Sequence, residues 1–381
     1  DDFEGFFGEG VAELFGGAQS VAGETPTPQQ APAWGVARSL ALESPDLRTA
    51  VVDLDAARPL DEAAAVAAEL ANASGETQVA LRDGKRLVAR LERRAVSAAK
   101  ANEPAAWRLT PASAGSYDAF VRAPLTRRAP GKGEVEIETL AWGLNFKDVL
   151  NALDLYPGDP GPLGGESAGR IVAVGEGVED LRVGDEVMAV ASGSFSSHVT
   201  APAAMVQRKP ATMSFEEAAS FPIPWLTAAF CLEHVAQLRA GERVLIHAGA
   251  GGVGLAAVRL AQRAGAQVFA TAGSPWKRDL LAAAGVSHIY DSRTPDFADQ
   301  VLADTKGEGV QVVLNSLAGD MMDASFRAIA KGGRFVEIGK NGLKDQAWVA
   351  ALGRGITYEI IDWGETAARE PDLIGGMLRD L

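Results

Sequence analysis

The sequence holds a single cysteine, Cys231, among 381 residues. No intramolecular disulfide is possible, and an intracellular setting is favoured. Metal ligands are equally scarce: the four histidines (His198, His234, His247, His288) are scattered, and Cys231 has no cysteine partner. A zinc site takes three or four Cys, His or carboxylate ligands, so no metal centre is expected. Positive charge is in deficit, with 36 Lys and Arg against 50 Asp and Glu and a formal net charge of −14. That disfavours nucleic acid as a partner, because phosphate neutralisation needs clustered cations. It leaves room for a local basic patch that holds a phosphorylated cofactor. No apolar run reaches the ~18 residues of a membrane span and no signal peptide is visible. The expectation is a cytoplasmic protein that engages neither membrane nor nucleic acid. The chain starts at Asp1 rather than Met, which suggests a piece of a longer polypeptide.

What is abundant is glycine, 42 residues of it, clustered beside apolar runs in a chain that is 47% hydrophobic. Tight turns and close backbone approaches account for such a pattern better than a flexible linker does. The length suggests two or three domains of about 100–200 residues each. Residues 34–43 have helical spacing that stops before Ser44-Pro45, residues 50–54 form a short apolar strand, and residues 61–71 an alanine-rich helix. Residues 78–81 and 86–91 read as two strands joined at Asp83-Gly84, a hairpin turn signal. Residues 95–104 read as a linker. From Trp107 to about Leu226 the chain breaks into short strands divided by Gly and Pro, notably 135–140, 169–174, 185–190 and 195–199, as in a compact β-barrel. From Arg243 onward strands (243–247, 267–272, 288–291, 310–315, 334–338) alternate with helices (253–263, 276–284, 296–303, 321–330), which implies a parallel sheet covered on both faces.

The segment Val244-Leu-Ile-His-Ala-Gly-Ala-Gly-Gly-Val-Gly254 carries the chemistry. Gly249, Gly251 and Gly254 stand in G-x-G-x-x-G spacing between an apolar strand and an amphipathic helix. The first glycine permits the turn, the second lets backbone approach a pyrophosphate, and the third lets helix and strand pack closely. Gly252 and Val253 then open a helix whose N-terminal N–H groups attract an anion. An acid at the end of the second strand would bind the ribose 2′-hydroxyl. The chain instead has Thr271-Ala-Gly-Ser-Pro-Trp-Lys-Arg278, where Ser274, Lys277 and Arg278 suit a 2′-phosphate. NADPH is the expected cofactor.

With those residues in view, the run from about Trp107 to Asp345 resembles the medium-chain dehydrogenase/reductase superfamily, and more closely the enoyl reductase domains of modular polyketide synthases and animal-type fatty acid synthases. The matching stretches are Gly143-Leu-Asn-Phe-Lys-Asp-Val-Leu150, Leu163-Gly-Gly-Glu-Ser-Ala-Gly169, Val183-Gly-Asp-Glu-Val-Met188, Leu245 to Gly254, Val312-Val-Leu-Asn-Ser-Leu317 and Gly332-Gly-Arg-Phe-Val-Glu-Ile-Gly-Lys340. Gln30-Ala-Pro-Ala-Trp-Gly-Val-Ala-Arg-Ser-Leu-Ala-Leu-Glu43 and Val52-Asp-Leu-Asp55 resemble the later half of a ketoreductase structural subdomain. None of the four tyrosines (Tyr117, Tyr156, Tyr290, Tyr358) stands in ketoreductase Y-x-x-x-N or Y-x-x-x-K spacing, so that piece reads as scaffold.

The resemblance implies an α/β fold: a doubly wound Rossmann domain at 228–381, a GroES-like β-barrel substrate domain at 105–227, and a small N-terminal α/β piece at 1–97 from the ketoreductase subdomain. In this superfamily a further segment returns to complete the sheet and the substrate domain, and the chain ends at Leu381 short of it. The implied reaction is NADPH-dependent reduction of a 2,3-enoyl thioester on an acyl carrier protein bearing enoyl-phosphopantetheine, beside ketoreductase and dehydratase domains. A free-standing quinone or enoyl-CoA reductase, or an inactive NADPH-binding scaffold, are the alternatives. Zinc-using relatives carry a His before the glutamate that matches Glu166; Gly164-Gly165-Glu166 lacks it. Tyr156, Lys277 and Asp296 are the implied donors or proton-relay members. Tyr156 stands in Leu155-Tyr-Pro-Gly158 and is otherwise a turn aromatic. Lys277 is divided between substrate and 2′-phosphate, with the phosphate favoured, and Asp296 otherwise caps a helix. Arg293 falls at the adenine-ribose end. Asn145, Thr227, Asn315, Gly339 and Lys340 frame the nicotinamide, with Lys147 at the active-site border and Phe146 and Val149 in the core. His247 and Cys231 read as packed structural residues.

Overall fold

The computed structural model describes residues 31–43, 51–54, 63–71, 76, 78–88, 105–113, 115–116 and 119–381. The chain divides into two units, Asp1–Ala99 and Lys100–Leu381. The expected linker at 95–104, and Tyr117, lie outside the described residues.

In the first unit, helix α1 (Ala31–Glu43) and helix α2 (Ala63–Ala71) accompany a three-stranded sheet of β1 (Val51–Asp53), β2 (Gln78–Arg82) and β3 (Lys85–Val88). β1 runs parallel to β2, and β3 returns antiparallel. Asp83 and Gly84 both have positive φ (48° and 71°), which a two-residue hairpin needs to match strand twist. Central β2 buries Val79, Ala80 and Leu81. At its end the buried Arg82 guanidinium meets the buried Asp53 carboxylate at 2.8 Å, each charge tolerable there because the other neutralises it.

The second unit begins with a two-stranded antiparallel ribbon, β4 (Trp107–Pro111) and β5 (Phe120–Pro124). A five-stranded antiparallel sheet follows, ordered β10-β8-β7-β6-β9, from β6 (Glu134–Gly143), β7 (Glu166–Val174), β8 (Glu186–Val190), β9 (His198–Pro202) and β10 (Val206–Arg208). Val135, Ile137, Ile171, Val187, Ala189 and Val206 form its apolar centre. The strand expected at 195–199 begins only at His198, because Ser196 turns its hydroxyl onto the carbonyls of Gly193 and His198. Helix α3 (Phe146–Ala152) joins β6 to the loop before β7; α4 (Phe215–Ala219) and α5 (Pro222–Ala229) lead out, α5 running into a π-helical turn, Phe230–Val235.

Six parallel strands follow, ordered β13-β12-β11-β14-β15-β16: β11 (Arg243–Ile246), β12 (Gln267–Ala272), β13 (His288–Asp291), β14 (Val310–Asn315), β15 (Ile329–Glu337) and β16 (Thr357–Ile360). Between them lie α6 (Gly252–Arg263), α7 (Pro275–Ala283), α8 (Phe297–Asp304), α9 (Asp320–Ala328) and α10 (Gln346–Ala351). Both faces are covered. Val244 and Ile246 join one apolar layer with α6, and Leu245 between them joins the other with α8 and α9, as alternating side chains require. The strand order reverses between β11 and β14, and ligands of such sheets bind at the carboxyl ends flanking that point.

Two further helices, α11 (Trp363–Arg369) and α12 (Pro371–Asp380), carry the chain back toward the antiparallel sheet. A Cβ on Gly375 would lie 2.2 Å from the Ala204 carbonyl oxygen, between β9 and β10, whereas one on Gly376 would meet nothing. Gly375→Ala is therefore expected to cost about 1–3 kcal/mol by overpacking, while Gly376→Ala is neutral or gains up to about 1 kcal/mol of helix propensity. Thermal unfolding of both variants tests this; equal midpoints would mean that α12 is not seated on that turn.

Candidate active site

The turn between β11 and α6 has the geometry of an anion cradle. Ala248 sits at φ 48°, and its carbonyl accepts the Gly251 N–H at 2.8 Å. A Cβ on Gly254 would come within 2.3 Å of that carbonyl and 2.6 Å of Gly249 Cα, so only glycine lets α6 start here. A Cβ on Gly249 would meet Ala270 at 3.1 Å and Leu281 at 3.2 Å, so the turn lies close to β12 and α7. Gly251 is the extended N-cap of the 12-residue α6. The N–H groups of Gly252, Val253 and Gly254 have no intrahelical acceptor and point out at its start. His247, beneath the turn, is held between Thr271 Oγ1 (3.0 Å) and Ser325 Oγ (2.8 Å), and burial pushes it down to about 3. It is a neutral structural group.

At the end of β12, Ser274 N-caps α7. Its hydroxyl oxygen is buried and without a hydrogen-bond partner. Gly273 lies under the Arg293 side chain, where a Cβ would meet Nε at 2.5 Å. Arg278 bonds the Ala272 carbonyl at 3.0 Å and pairs with Asp291 at 3.2 Å. Lys277 is exposed beside the Trp276 ring, 5.4 Å from its centroid. Ser274, Lys277, Arg278 and Arg293 are thus brought to one strand end.

The residues expected around the nicotinamide are held by two buried carboxylates that the sequence did not mark for this role. Glu166, first residue of β7, accepts from Asn145 Nδ2 at 2.8 Å and from the Ile223 N–H at 2.7 Å. It therefore clamps Asn145, just before α3, to the start of α5, one turn before Thr227 on that helix. Gly143 makes room for it: a Cβ there would lie 2.3 Å from Oε1. Asp148 adds a second tie, accepting from the Asn145 N–H (3.0 Å) and the Gly164 N–H (2.8 Å). Across the switch point, Glu337 at the end of β15 accepts from Asn315 Nδ2 and from the Gly339 N–H at 2.6 Å. Burial pushes both Glu166 and Glu337 up to about 7 against the pull of these donors. Thr227 Oγ1 accepts from Trp363 Nε1 at 2.9 Å. Lys340 turns to the Ile361 carbonyl and Asp362, both at 3.0 Å.

Phe146 departs from expectation: it is 74% exposed, not core. The buried face of α3 is formed by Asp148 and Ala152, one turn apart, and Phe146 falls on the other side. Val149 is half-buried. Tyr156 is half-buried in the loop after α3, with the Lys147 ammonium 5.2 Å from its ring centroid. Asp296 precedes α8, exposed, its carboxylate accepting from Thr294 Oγ1 at 3.2 Å. Cys231 is fully buried and its thiol is pushed up to about 12. Among the described residues no three His, Cys, Asp or Glu gather as metal ligands, and no helix is long and apolar enough to cross a membrane.

Three family models match the chain: a polyketide synthase extender module SpnB Rossmann fold domain at 13–91, an alcohol dehydrogenase GroES-like domain at 131–211, and a zinc-binding dehydrogenase at 252–370. The pikromycin polyketide synthase component PikAII of Streptomyces venezuelae is 42% identical over 92% of this chain, which spans only 10% of that synthase's length. The crystal structure of CurK enoyl reductase is similar with 44% identity and TM-score 0.69, over 72% of this chain and 86% of that one. Escherichia coli quinone oxidoreductase complexed with NADPH is similar at 28% identity, TM-score 0.62, over 72% and 89%.

The buried carboxylates set a pH signature. A carboxyl raised from its ordinary 4.5 to about 7 keeps its proton longer in the folded chain, so its contribution to stability falls as pH rises between those values. His247, depressed to about 3, works the other way up to its ordinary 6.5, so the raw profile mixes both signs. The difference isolates one group: Glu166→Gln should gain stability relative to wild type as pH rises from about 4.5 to about 7 and hold constant above. Denaturant unfolding across that range measures it. A pH-independent difference would show that Glu166 ionises normally.

Proposed function

The chain belongs to the enoyl reductases of polyketide synthases, within the medium-chain dehydrogenase/reductase superfamily, and we propose that it reduces a 2,3-enoyl thioester carried on an acyl carrier protein, with NADPH as reductant. A nicotinamide cofactor fits the residues present: a cradle that a Cβ at Gly254 would fill and a buried hydroxyl at Ser274 left unpartnered. That hydroxyl is the observation that favours NADPH over NADH. It lies among Lys277, Arg278 and Arg293, with no acid at the end of its own strand. A 2′-phosphate supplies the acceptor that Ser274 lacks and the charge that these cations match.

When bound, the reduced nicotinamide supplies a hydride for the β-carbon of the enoyl group. The chain's own residues then carry the rest. Negative charge develops on the thioester oxygen and needs donors, and a proton must reach the α-carbon. Asn145, fixed by Glu166, and Asn315, fixed by Glu337, would hold the cofactor's reacting end. We assign proton donation to Tyr156, whose ring lies beside the Lys147 ammonium. Lys277, just past the carboxyl end of β12, is committed to the 2′-phosphate, and Asp296 to the start of α8.

Turnover is read by NADPH oxidation with crotonyl-pantetheine and with a quinone. Reduction of the thioester is the expected result, and turnover of the quinone alone would overturn the proposal. Lys277→Ala should weaken NADPH by about tenfold or more while leaving NADH affinity unchanged. A parallel loss for both would remove the 2′-phosphate assignment. Tyr156→Phe should lower kcat by about 10²-fold with NADPH affinity intact; an unchanged kcat would move the proton donor elsewhere.

A further inference from the structure

The turn after β16 is tied to two of the residues expected around the nicotinamide. Lys340 Nζ donates to the Ile361 carbonyl and to the Asp362 carboxylate, both at 3.0 Å. Trp363 Nε1, on the first residue of α11, donates to Thr227 Oγ1 at 2.9 Å. The short helix α11 has no fully buried residue. Trp363 and Ala367 attach it to the apolar layer that α6 and α12 share.

Trp363 does more than pack. An indole N–H can only donate, so Thr227 accepts there and its own proton must go elsewhere. Serine and threonine hydroxyls on helices commonly return that proton to a carbonyl one turn earlier. Ser220, Thr305 and Ser325 do so, toward Glu216, Val301 and Met321. Thr227 does not: among the described residues no acceptor takes its proton, although only 9% of the residue is exposed. A buried hydroxyl proton without an acceptor is costly, and a ligand can supply one. Thr227 also lies one turn beyond Ile223, whose N–H Glu166 clamps together with the Asn145 amide. The free donor is therefore on the helix that Glu166 ties to Asn145.

We propose that Trp363 is a positioning residue: by donating to Thr227 Oγ1 it makes the Thr227 hydroxyl a fixed donor for the carbonyl oxygen of the nicotinamide carboxamide. The proposal rests on the NADPH reading above and adds a residue 136 positions away that sets one contact of the reacting end. It is tested on the full chain by calorimetry with NADPH, its 3-acetylpyridine analogue and 2′,5′-ADP. The analogue keeps the carbonyl oxygen and lacks the amide nitrogen, while 2′,5′-ADP lacks the nicotinamide altogether. Trp363→Phe keeps a ring and removes the N–H. It should weaken NADPH and the analogue alike, by about fivefold, and leave 2′,5′-ADP unchanged. Thr227→Val should lose a similar affinity, and Thr227→Ser should keep most of it. Added to Thr227→Val, Trp363→Phe should cost nothing further. An equal loss for NADPH and 2′,5′-ADP would reduce Trp363 to packing and overturn the proposal. So would unchanged NADPH affinity in Trp363→Phe, or a loss for NADPH that the analogue escapes. Because binding alone is read, failure to reduce crotonyl-pantetheine would overturn the proposed reaction without touching this result. Equal wild-type affinity for NADH and NADPH would likewise overturn only the 2′-phosphate assignment.

Discussion

The join between the antiparallel sheet and the parallel one depends on one buried carboxylate, Glu166. A charged group with 1% of its surface exposed is costly to bury, and burial pushes it up to about 7. What makes it tolerable is that both oxygens are used, one by the Asn145 side chain and one by the Ile223 backbone. Those two donors belong to different parts of the chain. One leads into α3, and the other opens α5, whose Pro224 lies against the position of a Gly252 side chain. Glu166 therefore fixes the antiparallel sheet to the entrance of the parallel one. Glu337 repeats the device on the other side, between Asn315 and Gly339. In both cases a carboxylate holds an asparagine amide in one orientation, which a hydroxyl or second amide would do with less charge and less certainty of direction.

The second constraint is space. The cofactor turn works because backbone approaches backbone: at Gly254 a single added carbon would collide with the Ala248 carbonyl and with Gly249. The same economy recurs at Gly143, which yields its side-chain volume to the Glu166 carboxylate, and at Gly375, which yields it to the Ala204 carbonyl. Many of the 42 glycines are thus contact points between segments far apart in sequence rather than loosened chain.

This explains how far the sequence was legible. The Asp83-Gly84 hairpin, the alternation of β and α from Arg243, and the cradle at Gly249 to Gly254 are local patterns that the structure keeps, although β15 begins at Ile329, five residues before the expected 334. The failures share one cause. Phe146 looked like core because it is apolar and lies in a helix; only the burial of Asp148 and Ala152 decides which face is inward. The ribbon of β4 and β5 and the short sixth strand β16 owe their form to what they pack against, whereas α12 is amphipathic, with Ile374 and Leu378 buried one turn apart. Glu166 drew notice only for the histidine missing before it, since a partner 57 positions away, Ile223, leaves no mark on local pattern. Cofactor recognition is written in short motifs, whereas orientation of the reacting end is written in long-range hydrogen bonds.

Charge closes the argument. In a strongly acidic chain several arginines are spent on carboxylates such as Glu136, Glu134 and Asp185. At the end of β12 the side chains of Lys277, Arg278 and Arg293 come together, and Arg278 pairs with Asp291. Such a cluster suits a phosphate monoester on a ribose. Surrounding acid does not weaken such sites in proportion, because screening confines exposed charges to a range of about 8–10 Å. It does exclude other polyanions, which need cations spread over a wide face. A negative molecule with one compact positive cluster therefore favours a single compact phosphate over an extended polyanion.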